Sequence, residues 1–167
     1  FENETDTLYV AGGSDGQVWK LTRQYELNGN SDNDPNSVSV QGMIWPYAAE
    51  PVEYADGATQ IGTSVTDVVY DQGYLYAADA GSNRVVKLNL AVPNPQLEVV
   101  ATDLDDPQSI DVDSAHNVYI ADTDNYEVKK VDAVTGQVQV IAGTGEYMQL
   151  HQGVPAAQTS LNQPRGV

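Results

Sequence analysis

A fourteen-residue pattern that occurs three times limits what this chain can fold into more than any other feature of its sequence. The copies are LYVAGGSDGQVWKL at 8–21, LYAADAGSNRVVKL at 75–88 and VYIADTDNYEVKKV at 118–131, and they align without gaps. The second and third copies begin 43 residues apart, an ordinary repeat period, and the first copy precedes the second by that period plus an insertion. The chain is therefore built from repeated structural units.

Each copy is flanked by further short apolar runs. VTDVVYD and PQSIDVD precede the second and third copies, and SVSVQGMI, LEVVATDL and QVQVIAGT (37–44, 97–104 and 137–144) follow the three copies. Val, Ile and Tyr fill the runs, Gly, Asp, Asn and Pro separate them, and no helical period is sustained. Each unit therefore predicts four short antiparallel strands, which is typical of the blades of an all-β β-propeller.

The later units resemble the NHL-repeat family of β-propellers. The shared elements are Pro107, NVYIADTDN at 117–125, Thr135-Gly136, AGTG at 142–145, Pro155-Ala156 and LNQPRGV at 161–167. The likeness is specific over 104–167, good over 65–103 and weak over 8–21. The resemblance implies an NHL-type propeller, and such propellers usually have six blades.

The sequence also departs from the NHL pattern at several points. The family usually carries a His-Arg pair after GN or DN, whereas this chain has Asn83-Arg84 and Tyr126-Glu127 there. The first copy has Gly12 where the other two have Asp79 and Asp122. We expect these two carboxylates to accept backbone N–H bonds and to hold the adjacent hairpin.

The repeat divides the chain into about three blades. Their expected bounds are 5–64 for blade one, 65–104 for blade two, 105–145 for blade three, and 146–167 for a loop and the start of a fourth. Blade one carries insertions at 22–37 and 45–64, which we expect to be polar and rich in turns. Half a ring would expose an apolar blade face at each end. We therefore expect the chain to be part of a longer protein that supplies the remaining blades, with pairing of two copies as the less favoured alternative.

The charge of the chain excludes several classes of protein. The net charge is -17, from 24 acidic and 7 basic residues. Because nucleic acids are bound by basic surfaces, we expect no nucleic-acid partner. No run approaches the ~18 apolar residues of a spanning helix, so we expect no membrane insertion. The absence of Cys excludes disulfides and thiol nucleophiles within these residues.

The resemblance directs attention to the start of the first strand of each blade. In propellers this strand lines the central channel, and ligands gather at the channel mouth. The corresponding residues here are Thr66, Gln108 and Arg165. In the amidating lyases of similar fold, several of these positions are His and bind zinc. Thr, Gln and Arg cannot form such a site, so we do not expect that activity from the blades present here.

Two alternatives stay open for Arg165. It can bind the carboxylate of a ligand at the channel mouth, or it can form an ion pair with Asp67 or Asp111 and stabilise the ring. The second alternative is favoured.

The two histidines form no predicted site. We expect His116 to be an exposed turn residue, and His151 lies alone in a long loop.

The insertions hold two further candidate sites. Trp45, Tyr47 and Tyr54 either bind a partner or, as we favour, fold back and cap the adjacent blade. Asp32 and Asp34 lie in GNSDNDPNS, whose oxygen-bearing side chains suit calcium but also an ordinary solvated loop. We expect no other cofactor.

These features predict a binding or scaffold propeller rather than an enzyme. The expected domain is secreted or periplasmic and presents its loops and channel mouth to a protein or glycan partner. The alternative is half of a metal-dependent propeller enzyme, similar to an amidating lyase or a lactonase, whose metal ligands lie in blades outside this chain.

Overall fold

The computed structural model describes residues 7–11, 18–22, 48–51, 64–92, 95–147 and 153–167. The strands in these segments are β1 (Thr7–Ala11), β2 (Val18–Thr22), β3 (Ala48–Pro51), β4 (Val65–Asp71), β5 (Tyr74–Asp79), β6 (Arg84–Asn89), β7 (Glu98–Ala101), β8 (Pro107–Val112), β9 (Val118–Asp122), β10 (Glu127–Val131) and β11 (Val138–Ala142). Short 3-10 turns lie at Ala80–Ser82 and Ala156–Gln158.

The strands form three antiparallel sheets in which each strand pairs with its neighbours in the sequence. Sheet one contains β1–β2–β3, sheet two β4–β5–β6–β7, and sheet three β8–β9–β10–β11. The predicted all-β class and the four-stranded units are therefore confirmed for sheets two and three. The arrangement is consistent with part of a β-propeller-like fold, whereas the NHL type and the number of blades stay predictions.

Sheet one differs from its prediction. Its third strand, Ala48–Pro51, pairs with β2 and lies in the insertion 45–64, for which we expected polar or turn-rich sequence and no strand of the blade. The segment that we predicted as its last strand, 37–44, lies outside the described residues. The free backbone N–H and C=O groups at the edge of β2 can pair with any extended segment that lies beside them. Pro51 is compatible with this position because proline is tolerated in edge strands.

Sheet two is covered on both faces. Because side chains alternate along a strand, Leu75 and Ala77 of β5 face Val18 of sheet one, while Tyr76 and Ala78 face sheet three. The second of these cores is completed by the sheet-three residues Ile110, Val118, Ile120 and Val131. Burying one such branched side chain stabilises the fold by roughly 1.5–3 kcal/mol. The continuous apolar runs of sheet two are therefore explained by burial between two neighbours.

The first strands of sheets two and three lie side by side. The Asp67 carboxylate of β4 accepts a hydrogen bond from the backbone N–H of Ile110 in β8, at 3.0 Å. Its other oxygen accepts from the N–H of Val68 at 2.8 Å. One carboxylate thus fixes the two strands relative to each other.

Candidate functional site

The predicted candidates Thr66 and Gln108 occupy equivalent β-bulges. The register of β4 on β5 shifts between Val65 and Asp67, and that of β8 on β9 shifts between Pro107 and Ser109. Each bulge adds one residue that has no partner on the next strand. The structure therefore brings these two residues to the same edge of adjacent sheets, as the repeat alignment predicts.

Both side chains are engaged in local hydrogen bonds. The Thr66 hydroxyl donates to the carbonyl of Pro107 at 2.6 Å and thereby links β4 to the start of β8. The Gln108 amide donates to Asp106 Oδ1 at 2.7 Å. The main role of Thr66 in this structure is to join the sheets, while the carbonyl oxygen of the Gln108 side chain stays available as an acceptor.

Arg165 follows Pro164, another proline whose carbonyl accepts from a threonine hydroxyl. The carbonyl of Pro164 accepts from the Thr123 hydroxyl at 2.7 Å, as that of Pro107 accepts from Thr66. Gln163 adds a hydrogen bond from its amide to Asp124 Oδ1 at 3.0 Å. Residues 163–165 are thus attached to sheet three at the edge that also carries Gln108.

The favoured ion pair of Arg165 is wrong. Arg165 is exposed and forms no ion pair with any residue that the structure describes. Asp67 is engaged with backbone N–H groups of β4 and β8, and Asp111 accepts from the N–H of Val112 at 2.8 Å. The carboxylates expected to hold Arg165 are instead used within the sheets, so its guanidinium faces solvent.

Asp79 and Asp122 are fully buried at the ends of β5 and β9. Asp122 accepts from the backbone N–H of Asp105 at 2.7 Å and from the Asn125 side chain at 2.9 Å, and Lys129 Nζ lies 2.5 Å from it. The expectation that these carboxylates hold their hairpins through backbone N–H bonds is corrected. The backbone N–H that bonds to Asp122 belongs to Asp105, in the connection that precedes β8. The hairpin of β9 and β10 contributes only side-chain contacts to this carboxylate, from Asn125 and Lys129.

Asp79 has fewer partners than Asp122. Its Oδ2 accepts from Arg84 Nε at 2.8 Å, whereas its Oδ1 is buried and has no hydrogen-bond partner. Charge-assisted bonds of this kind are roughly twice as strong as neutral ones. Arg84 therefore keeps this buried carboxylate compensated at one oxygen only.

Two carboxylates at the opposite end of the sheets are held by turns. Hydrogen bonds from the side chain and backbone of Asn117 lower the pKa of Asp113 to about 2. The backbone N–H and hydroxyl of Thr135 lower the pKa of Asp132, with a further bond from the N–H of Val134. Because these bonds stabilise the ionised form, both groups serve as turn acceptors rather than as general acids.

His116 was expected to be an exposed turn residue, and this is correct only in part. It occupies a turn with φ 65°, but its Nδ1 lies 2.7 Å from Asp71 Oδ2 in sheet two. Asp71 is the last residue of β4, next to the corresponding turn of the neighbouring sheet. The contact joins the two sheets at the end remote from Thr66.

Several predicted residues lie outside the described part of the chain. They are Trp45, Tyr47, Tyr54, Asp32, Asp34 and His151. Partner binding, capping and calcium binding at these positions stay predictions. Among the described residues, no group of three or more His, Cys, Asp or Glu side chains is arranged to hold a metal ion.

Sequence reasoning missed Thr123. Its hydroxyl lies 3.5 Å from the carbonyl of Ala121, and that of Thr66 lies 3.4 Å from the equivalent carbonyl of Ala78. The two hydroxyls lie near equivalent carbonyls, but Thr66 belongs to the first strand of its sheet, whereas Thr123 lies in the turn that follows β9. A position-by-position alignment pairs Thr66 with Gln108 and does not single out Thr123. The only sequence signal for Thr123 is the proline at the start of the following unit, since Thr66 donates to Pro107 and Thr123 donates to Pro164.

Comparison with known proteins gives a fold and no activity. No family model and no curated protein matches the chain. It is similar to a crystal structure of a structural-genomics protein of unknown function from Bacteroides thetaiotaomicron VPI-5482, with a TM-score of 0.62 and 18% sequence identity, over 99% of this chain and 39% of that chain. In the described residues, no helix is long and apolar enough to cross a bilayer. The chain thus has the fold of about two fifths of a longer protein.

Proposed function

We propose that this chain is about three blades of a six-bladed NHL-type propeller, and that it acts as a non-catalytic binding or scaffold domain outside the cytoplasm. The observation that carries the proposal is the exposed guanidinium of Arg165, which has no ion-pair partner among the described residues. It lies at the position equivalent to Thr66 and Gln108, where propellers bind ligands. The likeness to part of a longer structure supports further blades.

The chemistry of this edge suits a ligand that carries a carboxylate. Arginine binds planar anions through two parallel N–H bonds, and the Gln108 carbonyl can accept from a neighbouring hydroxyl or amide. An acidic peptide and a glycan with a uronic acid both offer these groups. Because the net charge of -17 disfavours anions elsewhere on the protein, this local cation also provides selectivity.

The uses of the buried and turn carboxylates support a scaffold rather than an enzyme. Asp67, Asp79 and Asp122 are committed to hydrogen bonds or ion pairs that join strands. A general acid at neutral pH needs a raised pKa, whereas the pKa values of Asp113 and Asp132 are lowered. These side chains stabilise the framework that presents Arg165 and the loops.

The test uses the protein encoded by the full reading frame. Its binding to acidic peptides and to an array of acidic and neutral glycans is compared with that of Arg165→Gln. We expect at least a tenfold loss of affinity, since a charge-assisted bond contributes about 1.5–3 kcal/mol. Lys130→Gln is the control, because it removes the same charge from a lysine that lies over the Tyr119 ring.

Two results would contradict the proposal. Equal losses of affinity in both variants would indicate a general charge effect, and binding of zinc or calcium together with lyase or lactonase activity would establish the enzyme.

Replacing Trp45 and Tyr47 together with Ala tests the insertion. Loss of partners with an unchanged melting temperature would assign binding to these aromatics, whereas loss of folding would assign capping.

A further inference from the structure

A cleft of about 260 Å³ lies between sheets two and three, at the end remote from Thr66 and Gln108. Its polar lining comes from Tyr76, Lys87 and Glu98 of sheet two and from His116 and Asp132 of sheet three. Valines of both sheets form the rest of its walls. The volume lies just below the ~300 Å³ at which small-molecule pockets begin, so the cleft suits one long side chain better than a cofactor.

The tyrosine in this cleft has an unused hydroxyl. Tyr76 is 8% exposed, and its hydroxyl has no hydrogen-bond partner in the described structure. The equivalent Tyr119 of sheet three donates to Asp113 Oδ2 at 3.1 Å. In sheet two the corresponding Asp71 is held by His116 instead. Because this hydroxyl is not among the buried atoms that lack a partner, it can be reached from the cleft, and a ligand that bonds to it gains affinity.

The hydroxyl keeps its proton at neutral pH and can both donate and accept. Burial, with a smaller effect of the Asp71 carboxylate, raises the pKa of Tyr76. The tyrosine therefore stays neutral, and its oxygen lone pairs can accept a hydrogen bond from a ligand.

The other polar groups of the cleft are mainly acceptors. Asp132 uses Oδ1 for the N–H groups of its turn, which leaves Oδ2 available. The Nδ1 of His116 is occupied by Asp71 Oδ2, at 2.7 Å. The one cation of the cleft lining, Lys87, already lies 3.4 Å from Glu98 and over the Tyr74 ring. Acceptors and carboxylates thus outnumber the donors available to a ligand.

We propose that this cleft binds a single lysine or arginine side chain of a partner protein. The alkyl stem packs on the valines and the cationic head donates to Asp132 and Tyr76, in the manner of long basic side chains on apolar surfaces. The net charge of -17 attracts such a cation over distance. The assignment rests on the proposed function in that it assumes a protein partner, but it concerns the opposite end of the sheets from Arg165.

The test titrates short blocked peptides, Gly-Lys-Gly and Gly-Arg-Gly, into the full chain and follows backbone amide shifts by NMR. We expect saturable shifts at 98–100, 116–118 and 131–136, with dissociation constants in the millimolar range. Tyr76→Phe should weaken binding about three- to tenfold, the effect of one hydrogen bond. Lys87→Met should strengthen it a few-fold, because it removes the competing cation and keeps the stem. A purely structural role of the cleft would give no such gain.

The matched control is Tyr119→Phe, which removes an equivalent hydroxyl that does not line the cleft. It should leave the affinity unchanged. Three results would overturn the proposal. They are an equal loss of peptide affinity in the two tyrosine variants, binding of a norleucine peptide as tight as that of the lysine peptide, and the absence of any saturable shift. Tighter binding of free butylamine than of the lysine peptide would also overturn it, since it would assign the cleft to a small amine. None of these results affects the Arg165 test, so the two proposals fail separately.

Discussion

Sheets two and three share one backbone framework, but different side chains pair with the buried aspartate in each. Both begin with a bulge, both are antiparallel meanders, and both bury an aspartate at the end of the second strand. The cation for Asp79 is Arg84, at the start of β6, whereas Lys129, two positions further along the equivalent strand, serves Asp122. The buried carboxylate is thus the fixed element, and its cation can come from either of two positions on the third strand.

The residue at each of these two strand positions differs between the sheets. Sheet three has Glu127 where sheet two has Arg84, and sheet two has Val86 where sheet three has Lys129. Replacing Arg84 by Glu, or Lys129 by Val, would therefore leave a buried carboxylate without its cation. The buried carboxylate keeps a cation when both positions change together, as they do between the two sheets.

The largest expected effect separates the two aspartates. Asp122→Ala removes an acceptor for a backbone N–H, an amide and the largely buried ammonium of Lys129, so it should reduce the free energy of unfolding by about 3 kcal/mol. Asp79→Ala should cost about 1–2 kcal/mol, because one oxygen is already unsatisfied. Urea unfolding curves with unchanged m-values measure both. Equal costs, or a larger cost for Asp79→Ala, would contradict the comparison.

A second prediction concerns Gly143, the glycine that follows β11. Gly143 has φ 95°, and a Cβ there would lie 2.2 Å from the carbonyl oxygen of Tyr126. The backbone must shift to admit a methyl group, so Gly143→Ala should cost about 2–3 kcal/mol. Gly136→Ala is the control, since φ is 68° but nothing lies within 4 Å, and it should cost about 1 kcal/mol. Thermal unfolding that ranks the two in the reverse order would exclude the steric explanation.

The smallest expected effect is on pH dependence. Because the folded-state pKa of Asp113 is about 2 and the unfolded value is about 3.9, its contribution is present above pH 4 and is lost as the pH falls toward 2. Asn117→Ala should raise this pKa toward the ordinary value, and Tyr119→Phe should raise it less, in the order of their hydrogen bonds. Carboxyl carbon shifts measured by NMR against pH give each value. An unchanged pKa in Asn117→Ala would show that the turn does not stabilise the carboxylate.

The sequence predicted the parts of the fold that depend on local patterning. Alternating Val and Ile between turn residues specify short strands, and the repeat places Thr66 and Gln108 at equivalent positions before any coordinate is known. The strand at Ala48–Pro51 was missed because pairing with β2, rather than its own composition, makes it extended.

The partners of the charged residues could not be predicted in the same way. The contact of His116 with Asp71 and the acceptance of the Ile110 N–H by Asp67 both depend on how sheet two lies against sheet three. The same geometry leaves Tyr76 without the acceptor that Tyr119 has. Spacing along the chain contains no measure of these distances, so the expected pair of Arg165 with Asp67 or Asp111 was wrong.

The bulges at the start of β4 and β8 have a consequence for how such a protein diversifies. The additional residue lies outside the alternation that assigns every other side chain of the strand to one apolar layer or the other. Its replacement therefore leaves the hydrophobic layers in place, and the two bulges carry a hydroxyl at 66 and an amide at 108. An exchange at a bulge costs the hydrogen bonds of that one side chain, such as the bond from Thr66 to Pro107, but leaves the apolar layers intact, so specificity can vary there while the sheets keep their packing.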